Sequence, residues 1–110
     1  MPISDEYAAG LIYGEGWVAV VPKYGSGDVR LCVSVGMTHR QTLEALRERL
    51  GGSLSVHSSG KKANRKPAWI WRAYGGTARQ VIVAIRPHVI TKRDAVEDCV
   101  RHLREIGQWW

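Results

Sequence analysis

The feature that most constrains the fold is an order of patterns that the chain runs through twice, one helix followed by two strands. Segments 17–23, 29–35, 53–58 and 68–74 alternate apolar and other residues, which is typical of strands with one buried face. Four antiparallel strands of this kind form one sheet, with helices on one face and the other face free. The sequence therefore predicts an α+β domain of order αββαββα(α), whose free sheet face is largely polar or basic.

Capping signals predict where the helices begin. Ser4 is a good N-cap, and Asp5 and Glu6 suit the positive end of a helix dipole. The capping boxes THRQ (38–41) and TARQ (77–80) predict the starts of the second and third helices. Gly51-Gly52 marks the end of the second helix, and Gly75-Gly76 turns the chain before the third. TKRD (91–94) opens the last helix, whose predicted buried side consists of Ala95, Cys99, Leu103 and Ile106.

The length of 110 residues predicts a single domain, 1–110, that would gain stability from a partner subunit. No apolar run approaches the roughly 20 residues that a membrane span needs, and the start of the chain is acidic where a secretory signal is basic. We therefore expect a soluble intracellular protein, cytoplasmic or nucleoid-associated, with no membrane partner. Cys32 and Cys99 are far apart, which favours buried free thiols over a zinc or redox pair.

Positive charge is concentrated in one part of the chain. The formal net charge is +6, and the segment from Arg49 to Arg93 contains ten Lys or Arg and no acid. This asymmetry favours binding to a phosphate backbone, although a solvated basic surface has the same composition. The residues that we predict to contact nucleic acid are outward strand positions and a basic loop: Lys23, Arg30, Ser34, Ser55, His57, Lys61, Lys62, Arg65, Lys66 and Arg72.

The first helix carries a stripe of small and apolar residues, Tyr7, Gly10, Leu11 and Gly14, which we call the glycine stripe. A glycine inside an exposed helix costs about 1 kcal/mol relative to alanine, so two of them need a reason. One reason is that they allow another backbone to approach closely. The other interpretation is that Gly14 only ends the helix.

Two charged residues are candidates for chemistry. Glu15 stands between Gly14 and Gly16 at the predicted helix end, and Mg²⁺ is often held by only one or two carboxylates plus substrate phosphates. Lys92 lies in the first turn of the last helix, where the dipole disfavours cations, so its position favours an anionic partner such as phosphate. The alternatives are an ordinary surface Glu15, and a Lys92 whose charge Asp94 and solvent screen.

Four segments together resemble one known family. GLIYGEG (10–16) resembles the signature of the LAGLIDADG homing endonucleases, which is often LAGLIDGEG. TLEALRERLGGSL (42–54) resembles the second helix of that family, KPAWIWRAYGG (66–76) its aromatic strand, and IRPHVITKRDAVE (85–97) its "PYL..K...A" segment. The resemblance covers essentially the whole chain, with the motifs in the family order.

The resemblance implies a fold, a partner and a reaction. The family fold is αββαββα, with a saddle of antiparallel strands in the DNA major groove, and single-motif members of this length act as homodimers through the signature helix. Tyr7, Gly10, Leu11 and Gly14 would then form the dimer interface, and two copies of Glu15 would bind Mg²⁺ or Mn²⁺. Glu15 and Lys92 would be catalytic, and the reaction would be metal-assisted phosphodiester hydrolysis of a nearly palindromic double-stranded DNA target.

The chain also departs from the family pattern. Tyr13 stands at the first, normally acidic, position of the motif, and the outward residues of the first strand, Trp17, Ala19 and Val21, are apolar. The alternative function is a nucleic-acid-binding relative with impaired cleavage, such as an intron splicing cofactor that binds intron RNA or a DNA-binding regulator. A purely structural dimer is a third hypothesis, and it requires that the basic sheet face binds no polyanion.

Overall fold

The structure is a computed structural model that describes residues 2–23, 27–58, 67–88, 93–107 and 109. It confirms the predicted α+β class and the order αββαββα(α). None of the helices in these ranges is long and apolar enough to cross a membrane. The elements are α1 (Asp5–Glu15), β1 (Gly16–Pro22), β2 (Val29–Met37), α2 (Arg40–Leu50), β3 (Ser53–Ser58), β4 (Ala68–Tyr74), α3 (Gly75–Ile85), a 3-10 turn (Arg86–His88) and α4 (Arg93–Glu105).

The four strands form one antiparallel sheet in the order β1-β2-β4-β3. The register places Val35, Trp71 and Leu54 in one row across three strands. Val35 and Trp71 are fully covered, and all four helices pack on this layer. Because side chains alternate along a strand, the intervening residues of each strand lie on the opposite face, which we call the free face.

Trp71 lies at the centre of the core. Its ring is completely buried, and its Nε1–H donates a 2.8 Å hydrogen bond to the carbonyl oxygen of Gly51. The next residue, Gly52, has φ +90°, and a Cβ there would lie 2.6 Å from the carbonyl oxygen of Arg72. Only glycine at position 52 allows the tight turn from α2 into β3 that brings the Gly51 carbonyl oxygen to Trp71.

Helix α1 begins as predicted. Ser4 is its N-cap, and the Ser4 hydroxyl accepts a 3.1 Å hydrogen bond from the Tyr7 N–H. The side chain of Arg49 on α2 donates a 3.0 Å hydrogen bond to Asp5, which joins the last turn of α2 to the first turn of α1. The residues of α1 that are buried in the core are Ala8, Ala9, Ile12 and Tyr13.

Two predicted helix starts are wrong. Helix α2 begins one residue late, with His39 rather than Thr38 as N-cap, and the His39 Nδ1 lies 2.6 Å from the Thr42 hydroxyl. Helix α3 begins at Gly75, so the glycine pair is helical and Thr77 lies inside the first turn. The physical reason is the positive φ of Gly75, +57°, which lets β4 pass directly into the helix without a separate turn.

The predicted buried side of α4 is also wrong in part. Val96, Val100 and Leu103 are buried, whereas Ala95 and Ile106 are exposed and Cys99 is half-buried. Both sets fit helical spacing, and packing against the sheet selects the set with two valines. On β3, Val56 pairs with Trp69 on the core side of the sheet, yet it is 54% exposed because it lies near the end of an edge strand.

Candidate nucleic-acid interface

Glu15 lies at a junction that the backbone geometry defines. It is the last residue of α1 and is exposed, and Gly16 directly begins β1 opposite Val35. A Cβ on Gly16 would lie 2.6 Å from the Ile12 carbonyl oxygen and 2.9 Å from the Ser34 carbonyl oxygen. Helix and strand therefore meet at this distance only with glycine at position 16, and this contact sets where the carboxylate of Glu15 stands.

The glycine stripe is open surface on the same helix. Tyr7 is 49% exposed, Gly10 and Gly14 are exposed, and Leu11 is half-buried. A Cβ on Gly10 or Gly14 would have no atom within 4 Å. Because residues four apart share a helix face, Glu15 continues the surface of Leu11. One helix thus presents the stripe and the carboxylate together.

Tyr13 does not belong to this surface. Two residues along a helix turn about 200°, so Tyr13 points away from Glu15, and its side chain is only 8% exposed within the core. Burial, and secondarily the negative charge of Glu97, raise the pKa of Tyr13 to about 12. The Tyr13 hydroxyl has no hydrogen-bond partner within the part of the chain that the structure describes.

A single chain supplies few metal ligands at this junction. Among the described residues there is no group of three or more His, Cys, Asp or Glu side chains that could hold a metal ion. The exposed carboxylate of Glu15 suits a hard divalent cation that takes its other oxygens from water, phosphate or a second chain. The other predicted catalytic residue, Lys92, lies outside the described residues.

The free face of the sheet brings several predicted contact residues together. One row across the sheet contains Trp17, Ser34, Arg72 and Ser53. The next row contains Ala19, Cys32 and Tyr74, and Val21 pairs with Arg30 beyond it. Arg30 and Arg72, which are half-buried, therefore lie on one face, on neighbouring strands, with no carboxylate among these positions.

Tyr74 organises the centre of this face. The Arg30 guanidinium lies 3.9 Å from the centre of the Tyr74 ring, within cation–π distance. Burial raises the pKa of the neighbouring Cys32 thiol, while the positive charge of Arg72, a hydrogen bond with Tyr74 and the charge of Arg30 act in the opposite direction. The register pairs Cys32, which is 2% exposed, with Tyr74 on the neighbouring strand.

Other predicted contact residues are distributed less evenly. Ser34 is only 9% exposed, which leaves its hydroxyl little surface for a ligand. Ser55 is exposed on β3, and Lys23 is exposed at the end of β1, where its N–H donates a 2.7 Å hydrogen bond to the Asp28 carbonyl oxygen. The other predicted contacts lie outside the described part of the chain: the His57 side chain, Lys61, Lys62, Arg65 and Lys66.

Sequence reasoning overlooked Tyr74 as part of the candidate interface. The signal was present, because Tyr74 follows Arg72 by two positions in the alternating segment AWIWRAY and must share its face. The contact with Arg30 depends on the pairing of β2 with β4, which places Cys32 opposite Tyr74. That pairing is between strands far apart in the chain, and a single sequence does not specify it.

Comparison with solved structures identifies the architecture. No protein-family model matches the sequence, and no curated protein matches it significantly. The homing endonuclease I-CvuI, in complex with its target in the presence of 2 mM Ca, superposes with a TM-score of 0.71 at 16% identity over 94% of this chain and 67% of that chain. The chain has the LAGLIDADG homing endonuclease fold.

Two further LAGLIDADG-fold structures agree with this assignment. The archaeal intron-encoded homing endonuclease I-Vdi141I, complexed with DNA, has a TM-score of 0.68 at 18% identity, over 94% of this chain and 68% of that chain. The LAGLIDADG homing endonuclease I-GzeII, in complex with a DNA target, has a TM-score of 0.72 at 22% identity, over 97% of this chain but only 38% of that chain. The present chain thus corresponds to well under half of I-GzeII.

Proposed function

We propose that the protein is a homodimeric, divalent-metal-dependent DNA endonuclease that cleaves a nearly palindromic double-stranded target. The observation that carries this proposal is the position of Glu15, exposed at the end of the open glycine stripe. The fold supports it, since the structures that share this fold include complexes of homing endonucleases with DNA.

Assembly through the glycine stripe would complete the metal site. The stripe has room for a second backbone at Gly10 and Gly14, and a two-fold axis through a self-complementary patch brings equivalent residues together. Two copies of Glu15 would then hold the metal with substrate phosphate. Bound Mg²⁺ or Mn²⁺ supplies Lewis-acid polarisation of the scissile phosphate and activation of water. In this arrangement Lys92 would offset negative charge that develops on the phosphate.

The sheet would supply binding and base recognition. Arg30 and Arg72 on the free face are suited to guanine edges in a major groove, with Ser55 and His57 as further polar contacts. Lys23 and the segment with Lys61, Lys62, Arg65 and Lys66 would follow phosphates and make affinity salt-dependent. We leave Ser34 out of the proposed contacts because of its burial.

Cleavage selection on randomised double-stranded DNA, with Mg²⁺ and in parallel with Mn²⁺, tests the proposal. We expect Glu15→Gln to abolish cutting of the selected sites while DNA affinity in gel-shift assays persists. Glu48→Gln is the matched control, since Glu48 is an exposed carboxylate on α2, and it should cut like the parent protein. Undiminished cutting by Glu15→Gln would overturn the assignment.

One observation favours the alternative of a binding protein with impaired cleavage, namely tyrosine at a normally acidic position of the motif. The burial of Tyr13 weakens it, because the side chain does not reach the surface that carries Glu15. Salt-dependent, sequence-selective binding without cleavage in either metal would establish the alternative. Competition by intron RNA at least equal to that by DNA would identify RNA as the substrate.

A further inference from the structure

The outward residues of β1 form an apolar row beside the arginines of the free face. Trp17 is 51% exposed, and Ala19 and Val21 are half-buried. By register, Val21 pairs with Arg30, and Trp17 lies two strands from Arg72 in the same row. A contiguous apolar surface that is bordered by polar or charged residues is a feature of binding sites.

The arginines beside the apolar row indicate what kind of partner binds this surface. An apolar protein surface would leave Arg30 and Arg72 without acceptors once they were covered, at considerable cost. A DNA major groove offers both kinds of partner on one surface. Guanine presents two acceptors that suit arginine, and thymine presents a C5 methyl group, an apolar feature that suits aliphatic and aromatic side chains.

The spacing of the row also fits a groove. Residues two apart on a strand are separated by about 6.8 Å, close to two base-pair steps of about 3.4 Å each. A neighbouring strand lies about 4.8 Å away. Trp17, Ala19 and Val21 therefore extend over roughly four base-pair steps, while Arg30 and Arg72 lie to one side of them.

Resting on the proposed function, we propose that the apolar row reads thymine methyl groups. Each half-site of the DNA target then contains at least two T·A pairs under β1, adjacent to guanines that the two arginines contact. The apolar side chains of β1 thereby act as specificity determinants.

The test removes the methyl group from the DNA and leaves the protein unchanged. Sites are first selected by binding to randomised duplexes, and the selected thymines are then replaced by deoxyuridine, singly and in pairs. We expect affinity to fall about threefold to fourfold for each methyl group that the row covers, and about tenfold for two. Thymines outside the row should tolerate the replacement with no change in affinity.

A protein variant tests whether the methyl groups that affect affinity are those in contact with the apolar row. For Val21→Asn, we compare the affinity for DNA with thymine and with deoxyuridine at the position under Val21. The ratio of these two affinities should fall to one, as expected for a removed pairwise contact. Val83→Asn is the matched control, because Val83 is 55% exposed on α3 in the helical layer, and it should keep the parent ratio. Both DNAs are measured on the same protein, so a partly unfolded variant does not alter the ratio.

The outcomes separate this inference from the proposed function. Absence of any sequence-selective DNA binding overturns both. Selective binding in which deoxyuridine is neutral everywhere, or in which Val21→Asn and Trp17→Gln leave every ratio unchanged, overturns methyl recognition and leaves the endonuclease proposal standing.

Discussion

Replacing Tyr13 by phenylalanine should stabilise the protein, although it removes a polar group from a motif position. The Tyr13 hydroxyl is buried without a partner among the described residues, and an unsatisfied buried group costs about 1 to 3 kcal/mol. Tyr13→Phe keeps the ring and removes that cost. We expect a gain of about 1 kcal/mol in the free energy of unfolding, or roughly 4 °C in Tm for a domain of this size.

The pH dependence makes this prediction sharper. The pKa of Tyr13 is raised from 10.0 to about 12 in the folded protein, so the folded state retains a proton that the unfolded state loses above pH 10. The resulting stability is fully present below pH 10 and is lost as the pH rises towards 12. The loss amounts to about 2 to 3 kcal/mol at pH 12. Tyr13→Phe has no such loss, so its advantage over the parent should widen between pH 10 and 12.

Urea denaturation followed by circular dichroism from pH 7 to 12 measures this difference, and the other tyrosines and lysines titrate in both proteins and largely cancel. A Tyr13→Phe protein less stable than the parent at pH 7 would show that the hydroxyl has a partner. A difference that stays constant up to pH 12 would show that the ring is not buried in the folded state. The first result would refute the unsatisfied hydroxyl, and the second would refute the placement of Tyr13 in the core.

Two glycine substitutions at the junction of α1 and β1 should have different consequences. Gly16→Ala should destabilise the fold by about 3 kcal/mol or more. The reason is that its Cβ would overlap two backbone oxygens that cannot move independently. An unchanged urea midpoint for Gly16→Ala would contradict this close approach. Gly14→Leu should leave the single chain folded, since its Cβ meets nothing there and leucine favours helix by nearly 1 kcal/mol, and it should convert a dimer into a monomer in light scattering. A Gly14→Leu dimer would place the interface elsewhere.

Much of the fold was predictable because the residues that face the core alternate along each strand with those that face away. Leu31, Val33 and Val35 are buried as the pattern indicates, and Ser4 caps α1 as its position predicts. The failures have a common origin in tertiary packing. The start of α3 depends on how β4 enters the helix at Gly75, and the buried side of α4 depends on which of two equivalent stripes meets the sheet.

The candidate site divides in the same way. The exposure of Glu15 and of the glycine stripe follows from helix geometry and flanking glycines, which are local properties. The burial of Ser34 does not, because it depends on Trp17 and Arg72, which reach the same row from neighbouring strands. Local sequence therefore predicted the exposed positions of Glu15 and the glycine stripe. Which residues lie together on the proposed DNA-reading surface depends on the pairing of strands that are distant in the chain.

Helix α1 combines three physical tasks on separate faces, and this separation explains the tyrosine in its motif. Tyr13 packs in the core with Ala9 and Ile12, the stripe opposite remains open, and Glu15 ends the helix where Gly16 permits contact with β2. An acid at position 13 would be buried near Glu97, which is the arrangement that already raises the pKa of Tyr13. The buried ring at this position therefore serves folding, and the absence of an acid there does not by itself argue against chemistry at Glu15.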